Sequence, residues 1–322
     1  MAWQAPAAEE EDQKLGSDQE VSGKPRVSVI MAVFQMAGRT DILERAVASI
    51  CRQTLRDWEL LIYDDGSLDR TLQEVRRLAR ADPRIRVLHG VVNRKAGHAR
   101  NQCIRAAKGR YLAIMDADDI SVPRRLQIQA DFLDAHPQYA LVGSSAWMFD
   151  SRGVWGLRRV KERPGRESFL STLPFVHPSV MLRREAAAAL HGYREGPESY
   201  RVEDYEFLLR LYAAGYRGYN IREPLVYYRE DAYALQRRKY RYRVTECRMR
   251  LHGFWRLGIL RGNLRYALKP LAAGLVPAFV MRAARAGRYR VRRDENRIGH
   301  AGRVLRKQSK DPGQQETGWK SR

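Results

Sequence analysis

Residues 111–119 read Tyr111-Leu112-Ala113-Ile114-Met115-Asp116-Ala117-Asp118-Asp119: a short apolar run that ends abruptly in three carboxylates. Such a run predicts a buried strand whose carboxyl end opens into a polar turn. The same order occurs upstream, where Glu59–Tyr63 leads into Asp64-Asp65-Gly66-Ser67 and Ile85–Leu88 leads toward Asn93 and Gly97. The β-branched stretch 26–33 opens the series. Between these runs, Leu43, Ala46, Val47 and Ile50 fall at helical spacing, and residues 71–80, 99–107 and 123–135 are helical in pattern. Asp41 and Glu44 offer a cap for the first of these helices and Ser121 for the last. Strands alternating with helices at this pitch predict an α/β fold, a Rossmann-like, mostly parallel sheet flanked by helices. Such sheets bind ligands beyond the carboxyl ends of their strands. Three polar loops after successive strands therefore describe one rim.

The residue types at that rim suggest a chemistry. Neighbouring carboxylates repel one another unless a cation lies among them. Mg²⁺ or Mn²⁺ accepts such oxygen ligands and shares them with substrate phosphates. The acids alone fit a metal–diphosphate clamp and a solvated acidic turn equally well.

Beyond residue 138 the alternation loosens. Residues 139–149 predict one or two short strands, and Ser179–Leu182 predicts another. Tyr205, Leu208, Leu209 and Tyr212 return to helical spacing, with Gly215 as a stop. Charge is unevenly spread: of the net +22, residues 235–322 carry 24 basic against 5 acidic residues, while residues 1–24 carry 2 against 6. The reading is a disordered acidic segment 1–24, a catalytic domain 25–234, a basic helical C-terminal extension 235–303, and a disordered tail 304–322. The charge-free run Leu271–Met281 is too short to span a bilayer, which takes roughly 20 residues. With Arg265, Lys269, Arg282 and Arg285 around it, it suits either a membrane interface or a helix packed on the domain. Cys51, Cys103 and Cys247 are scattered, with no metal-binding spacing, which predicts a reducing compartment. Residues 1–20 lack the basic start and apolar core of a secretory leader. Together these features predict a cytoplasmic protein held at the inner face of the cell membrane by an anionic surface.

From Val27 to about Tyr228 the chain resembles the family 2 glycosyltransferases of the GT-A fold. Four segments carry the resemblance: Val27–Phe34; Ser49–Thr54 leading into Trp58–Ser67; Asn93–Asn101 continuing through Ala107-Lys108-Gly109 to Asp119; and Glu203–Leu211. The resemblance implies a nucleotide-sugar donor, with uridine as the base, and a divalent metal, Mn²⁺ or Mg²⁺. It implies a sugar transferred with inversion to a hydroxyl on a cell-envelope glycan or lipid-linked saccharide. Carried over residue by residue, Ala32, Phe34, Asp64, Asp65, Asn93, Arg100 and Asp116 match donor-binding positions, with Asp65 toward the base. Asp118 matches the metal ligand and Asp204 the general base. His177 and Glu203 match the acceptor side. Ala32, Gln35 and Leu68 depart from residues common in the family. No Q-x-x-R-W segment is present, which favours transfer of single sugars over processive synthesis.

Rival readings remain at this stage. A nucleotidyl- or phosphotransferase would share metal-bound phosphates, but no P-loop motif is present. A non-catalytic or nucleic-acid-binding protein would use the basic tail; no nucleic acid is expected as a partner of the enzyme.

Overall fold

The computed structural model describes residues 23–230 and 240–274, together with the single positions Val276, Gly287 and Tyr289. The expectations for most of segment 1–24, for the tail 304–322 and for most of Leu271–Met281 lie outside the described residues. Four parallel strands form the first half of the sheet: β1 (Val27–Val33), β2 (Trp58–Asp65), β3 (Ile85–Gly90) and β4 (Tyr111–Asp116), in spatial order β3-β2-β1-β4. Their crossovers contain helices α1 (Thr40–Cys51), α2 (Thr71–Arg80) and α3 (Lys95–Ala106).

Alternation along the strands explains the layers. Val29, Met31, Leu60, Ile62, Ala113 and Met115 face one side with Leu43, Val47 and Ile50 of α1. Ile30, Leu61, Leu112 and Ile114 face the other with Ala99 and Cys103 of α3. Both faces are covered, which is why these strands read as continuous apolar runs.

The second half is mixed. After β5 (Ile120–Ser121) and α4 (Arg125–Ala135) come β6 (Leu141–Asp150), β7 (Gly153–Arg158), β8 (Met181–Arg183), α5 (Arg184–Ala189), α6 (Glu203–Ala213) and β9 (Gly218–Arg229). The sheet continues from β4 through β8, β6 and β9 to β5, with β7 on β6. Residues 139–149 thus contribute to one ten-residue strand. Ser121 is not a cap: it lies in β5 opposite Val226, and α4 starts at Arg125 without a side-chain cap. Asp41 and Glu44 do not cap α1 either. The residue preceding that helix is Arg39, while Asp41 pairs with Arg45 and Glu44 with Arg77.

The start of the basic extension is part of this body. Helices α7 (Tyr240–Arg256) and α8 (Leu264–Ala273) follow β9. Met249, Phe254, Leu257, Ile259 and Ala267 are buried in the same cluster as Leu208 and Leu209 of α6. Helices α6 and α7 approach so closely at Gly253 that a Cβ there would stand 2.5 Å from Leu209 Cδ1. Arg250 is buried and donates to the carbonyls of Leu170 (3.2 Å) and Tyr266 (3.3 Å). Among the described residues no helix is long and apolar enough to cross a membrane.

Candidate active site

The end of β1 lies between two acidic turns. In register, Ala32 stands beside Tyr63 of β2 on one side and Asp116 of β4 on the other, and Val33 stands beside Asp64. Ala32 is half-buried and Phe34 is 40% exposed at the rim. The loop that follows β1 is tied to the loop after β2. Gln35 N donates to Ser67 Oγ (2.9 Å), Met36 N to Thr71 Oγ1 (2.6 Å) and Ala37 N to Asp69 Oδ2 (3.1 Å).

The first acidic turn is internally satisfied. Asp64 is buried and accepts the hydroxyl (2.5 Å) and backbone N–H (3.2 Å) of Ser67. Asp65 is buried too and accepts the backbone N–H groups of Arg94 (3.0 Å) and Lys95 (2.7 Å), so it caps α3 from another strand. Burial pushes its carboxyl up, against those two donors, which pull it down. Gly66 makes the turn possible: its φ is +70°, and a Cβ would sit 2.7 Å from the Val92 carbonyl carbon. Asn93, on the same rim, accepts from Lys95 Nζ (2.5 Å).

The second acidic turn is not satisfied. Asp116 accepts from Arg100 Nη2 at 2.9 Å; burial is the largest influence and opposes its ionisation, but the charge and hydrogen bond of Arg100, with Arg125 and other neighbours, together hold it below the usual carboxylate range. Asp118 is pushed up to about 6 by burial and then by Asp116, with Arg39 at 3.6 Å opposing. Asp119 accepts from Arg229 N at 2.7 Å through Oδ1, while its buried Oδ2 has no partner. Beneath the turn lies Arg125, fully buried, which donates to Gln129 Oε1 (2.9 Å) and to the Ile114 carbonyl (2.8 Å). Burial pulls its guanidinium down to about 10 in spite of Asp119 and Asp116. Three carboxylates within four residues thus crowd together, and their mutual repulsion pushes Asp118 and Asp119 up.

The turn after β4 and the start of α6 meet through Arg100. Its Nη1 lies 3.6 Å from Glu203 Oε1, its Nη2 bonds Asp116, and Nη1 has no hydrogen-bond partner although buried. Arg100 is therefore a tie between α3, the β4 turn and α6. Asp204 occupies the first turn of α6, where the helix dipole favours a carboxylate, and its Oδ1 accepts from Tyr205 N at 2.7 Å. His177 is buried, bonds the Tyr193 hydroxyl through Nε2 at 3.0 Å, and is pulled down to about 3 by burial and the Arg100 charge. It is neutral at physiological pH. Tyr193 lies within electrostatic reach of Arg100, Asp116, Asp204 and Glu203, and burial chiefly pushes its phenol up. Arg100, Asp116, His177, Glu203 and Asp204 therefore converge on one place. Asp65 joins them through the start of α3, whereas Asn93 stays at the outer rim.

Sequence reasoning missed four contributors. Tyr193 is held by Asn101, which donates to its carbonyl and accepts from its N–H, both at 2.8 Å. Glu195 receives Asn101 (2.9 Å) and contacts His98 Nδ1 (2.8 Å). Arg39 and Arg229 reach the β4 turn from the β1 loop and from β9. None of the four lies in a motif.

The donor set fits a hard divalent cation. Asp118 and Asp116 present oxygens, their mutual repulsion is of the kind a cation relieves, and an orphaned Asp119 oxygen lies alongside. Among the described residues no group of three or more His, Cys, Asp or Glu side chains closes a cage.

Known proteins share this fold and sequence pattern. The profile of Glycosyl transferase family 2 matches residues 28–190, and that of Glycosyl transferase family group 2 matches residues 111–289. EpsE of Bacillus subtilis, named as a glycosyltransferase, is 36% identical over 258 residues, 80% of this chain and 92% of that one. Among solved structures, S. aureus TarS residues 1–349 in complex with UDP-GlcNAc superposes with a TM-score of 0.60 at 19% identity, over 75% of this chain and 73% of that one. The mannosyltransferase PcManGT from Pyrobaculum calidifontis, in complex with GDP-Man and Mn²⁺, gives 0.54 at 22% identity, over 83% and 81%.

Proposed function

The chain belongs to glycosyl transferase family 2, and from that premise we propose that it moves one sugar from a UDP-sugar to a hydroxyl of a cell-envelope glycan or lipid-linked saccharide, with inversion. The observation that carries this reading is the Arg100 bridge, which joins the acidic turn after β4 to the helix start bearing Asp204. A leaving-group site and a base site are thereby held on one frame.

In this reading the donor lies along the carboxyl ends of β1, β2 and β4, between Ala32, Phe34, Asp64, Asp65, Asn93 and Asp116. Asp118, with Asp116 behind it, would hold Mn²⁺ or Mg²⁺, which when bound neutralises charge on the departing diphosphate. Asp204 takes the proton from the acceptor hydroxyl. The hydroxyl oxygen bonds to the anomeric carbon from the face opposite the nucleotide, and the carbon–oxygen bond to the diphosphate breaks with its electron pair on that oxygen. Positioned proton transfer of this kind contributes ~10²–10⁴-fold in rate. Glu203 and the neutral His177–Tyr193 pair line the acceptor side. Asp64 and Asp65 support this arrangement by fixing the turn and the start of α3.

The test is a panel of nucleotide-sugars with and without Mn²⁺. Metal-dependent UDP binding is expected, and Asp118→Ala abolishes it. Asp204→Asn keeps donor binding and loses transfer; normal transfer by that variant would refute the assigned base. Attachment of the extension to an anionic membrane surface belongs to the same proposal, and binding of the full chain to vesicles containing anionic lipid checks it.

A further inference from the structure

Helices α6 and α7 border a cleft of about 200 Å³ that the catalytic reading does not use. Its floor is apolar: Leu209, Met249 and Gly253. Arginines stand at its rim: Arg248 and Arg256 two helical turns apart on α7, with His252 between them, and Arg194 opposite. Two acids enter the lining, Glu198 and Glu206. Glu206 is already neutralised by Arg210 at 2.7 Å, with Arg194 at 3.6 Å. Arg210 is spent structurally, since it also donates to the carbonyls of Leu190 and Gly192. Arg248 and Arg256 make no ion pair among the described residues. Four arginines and two carboxylates line the cleft, so an excess of positive charge surrounds an apolar floor.

Two further observations narrow the occupant. Glu203, Glu206 and Arg210 share one face of α6, so the cleft continues the face whose first turn meets Arg100. Beside the cleft, the α7–α8 pair presents large apolar residues to solvent. Trp255 is 68% exposed, Leu264 51% and Leu268 41%, among Arg256, Arg261, Arg265 and Lys269. Exposed tryptophan and leucine among cations mark a surface that meets a lipid interface.

We propose that this cleft binds the phosphate end of a lipid-carried acceptor, with the arginines on the phosphate and the apolar floor along the first carbons of the lipid. Arginine suits this task because its planar donors pair with phosphate oxygens. The proposal rests on the transferase reading above, and it names the class of acceptor that the same site takes.

The experiment uses the full chain with its donor site saturated by UDP and Mn²⁺, so that added diphosphates cannot enter there. Farnesyl diphosphate and inorganic pyrophosphate are titrated separately. Farnesyl diphosphate is expected to bind, pyrophosphate at least tenfold more weakly. Arg248→Gln combined with Arg256→Gln lowers farnesyl diphosphate affinity at least tenfold while UDP binding stays within twofold. Arg163→Gln combined with Arg217→Gln, which removes equal charge from a different cleft, leaves both unchanged. Equal binding of the two probes would overturn the lipid assignment. Unchanged binding in the first double variant, or equal loss in the second, would overturn the site itself. Failure of UDP to bind the native chain would instead count against the transferase reading, which keeps the two failures apart.

Discussion

Two acidic turns follow the strands on either side of β1, and in sequence they look alike; in the fold they differ in what their carboxylates find. After β2, Asp64 and Asp65 are buried and met by Ser67, Arg94 and Lys95 from the chain itself. After β4, Asp118 is repelled by Asp116 and faces Arg39 only at 3.6 Å, and Asp119 keeps a bare oxygen. A buried carboxylate given backbone donors carries structure whatever else it binds, because removing it orphans those donors. A carboxylate pressed against its own kind without enough donors is poised to take a cation. The difference lies in partners and not in residue type, so spacing alone cannot separate the two.

Substitutions can sharpen or break that contrast. The largest effect expected is chemical. Asp118→Ala removes several kcal/mol of transition-state stabilisation, roughly 10³-fold in transfer rate, measured as sugar transfer at saturating Mn²⁺. A variant of native rate would make the second turn as structural as the first. Next is Arg125→Leu, which leaves the buried Ile114 carbonyl and Gln129 amide oxygen without their donor. Each orphaned acceptor costs about 1–3 kcal/mol, read together by urea unfolding. A smaller loss is expected from Asp65→Ala, which orphans two N–H groups at the start of α3 for about 1–3 kcal/mol. The smallest effect has the opposite sign. In metal-free protein Asp118→Asn relieves repulsion and raises stability by about 1 kcal/mol, held down because its side chain is 35% exposed and solvent screens it. Added Mn²⁺ raises the Tm of the native chain and not of this variant. If Asp65→Asn also stabilised the metal-free protein, the distinction between the turns would fall.

The parallel half of the fold was legible because its signals are local. Each strand is a contiguous apolar run, and each polar turn follows immediately, so Asp64, Asp65, Asp116 and Asp118 could be placed at one rim from spacing. The partners that distinguish the turns arrive from far along the chain. Arg229 meets Asp119 across 110 positions, because the two-residue β5 pairs with β9. Glu195 meets Asn101 across 94. Arg125 was indistinguishable from a surface arginine on an amphipathic helix; only the packing of α4 beneath the sheet brings it near Asp119 and Asp116. Ser121 misled for the same reason, since antiparallel pairing with Val226 overrode a good local cap. Arg100 was read as a donor-binding residue from its place in the sequence; that it also ties two distant carboxylates together was not legible there.

The burial of α7 against α6 has a practical consequence for anyone shortening this chain. A fragment that stops after β9 would lose Phe254, Leu257 and Ile259 from the interior and strip cover from Leu209. It would also free the backbone carbonyls of Leu170 that Arg250 now occupies. Helix α6, with the assigned base on its first turn, would then rest on an open flank. The smallest fragment that can be expected to keep the active centre in shape runs to the end of α8, well past the last strand.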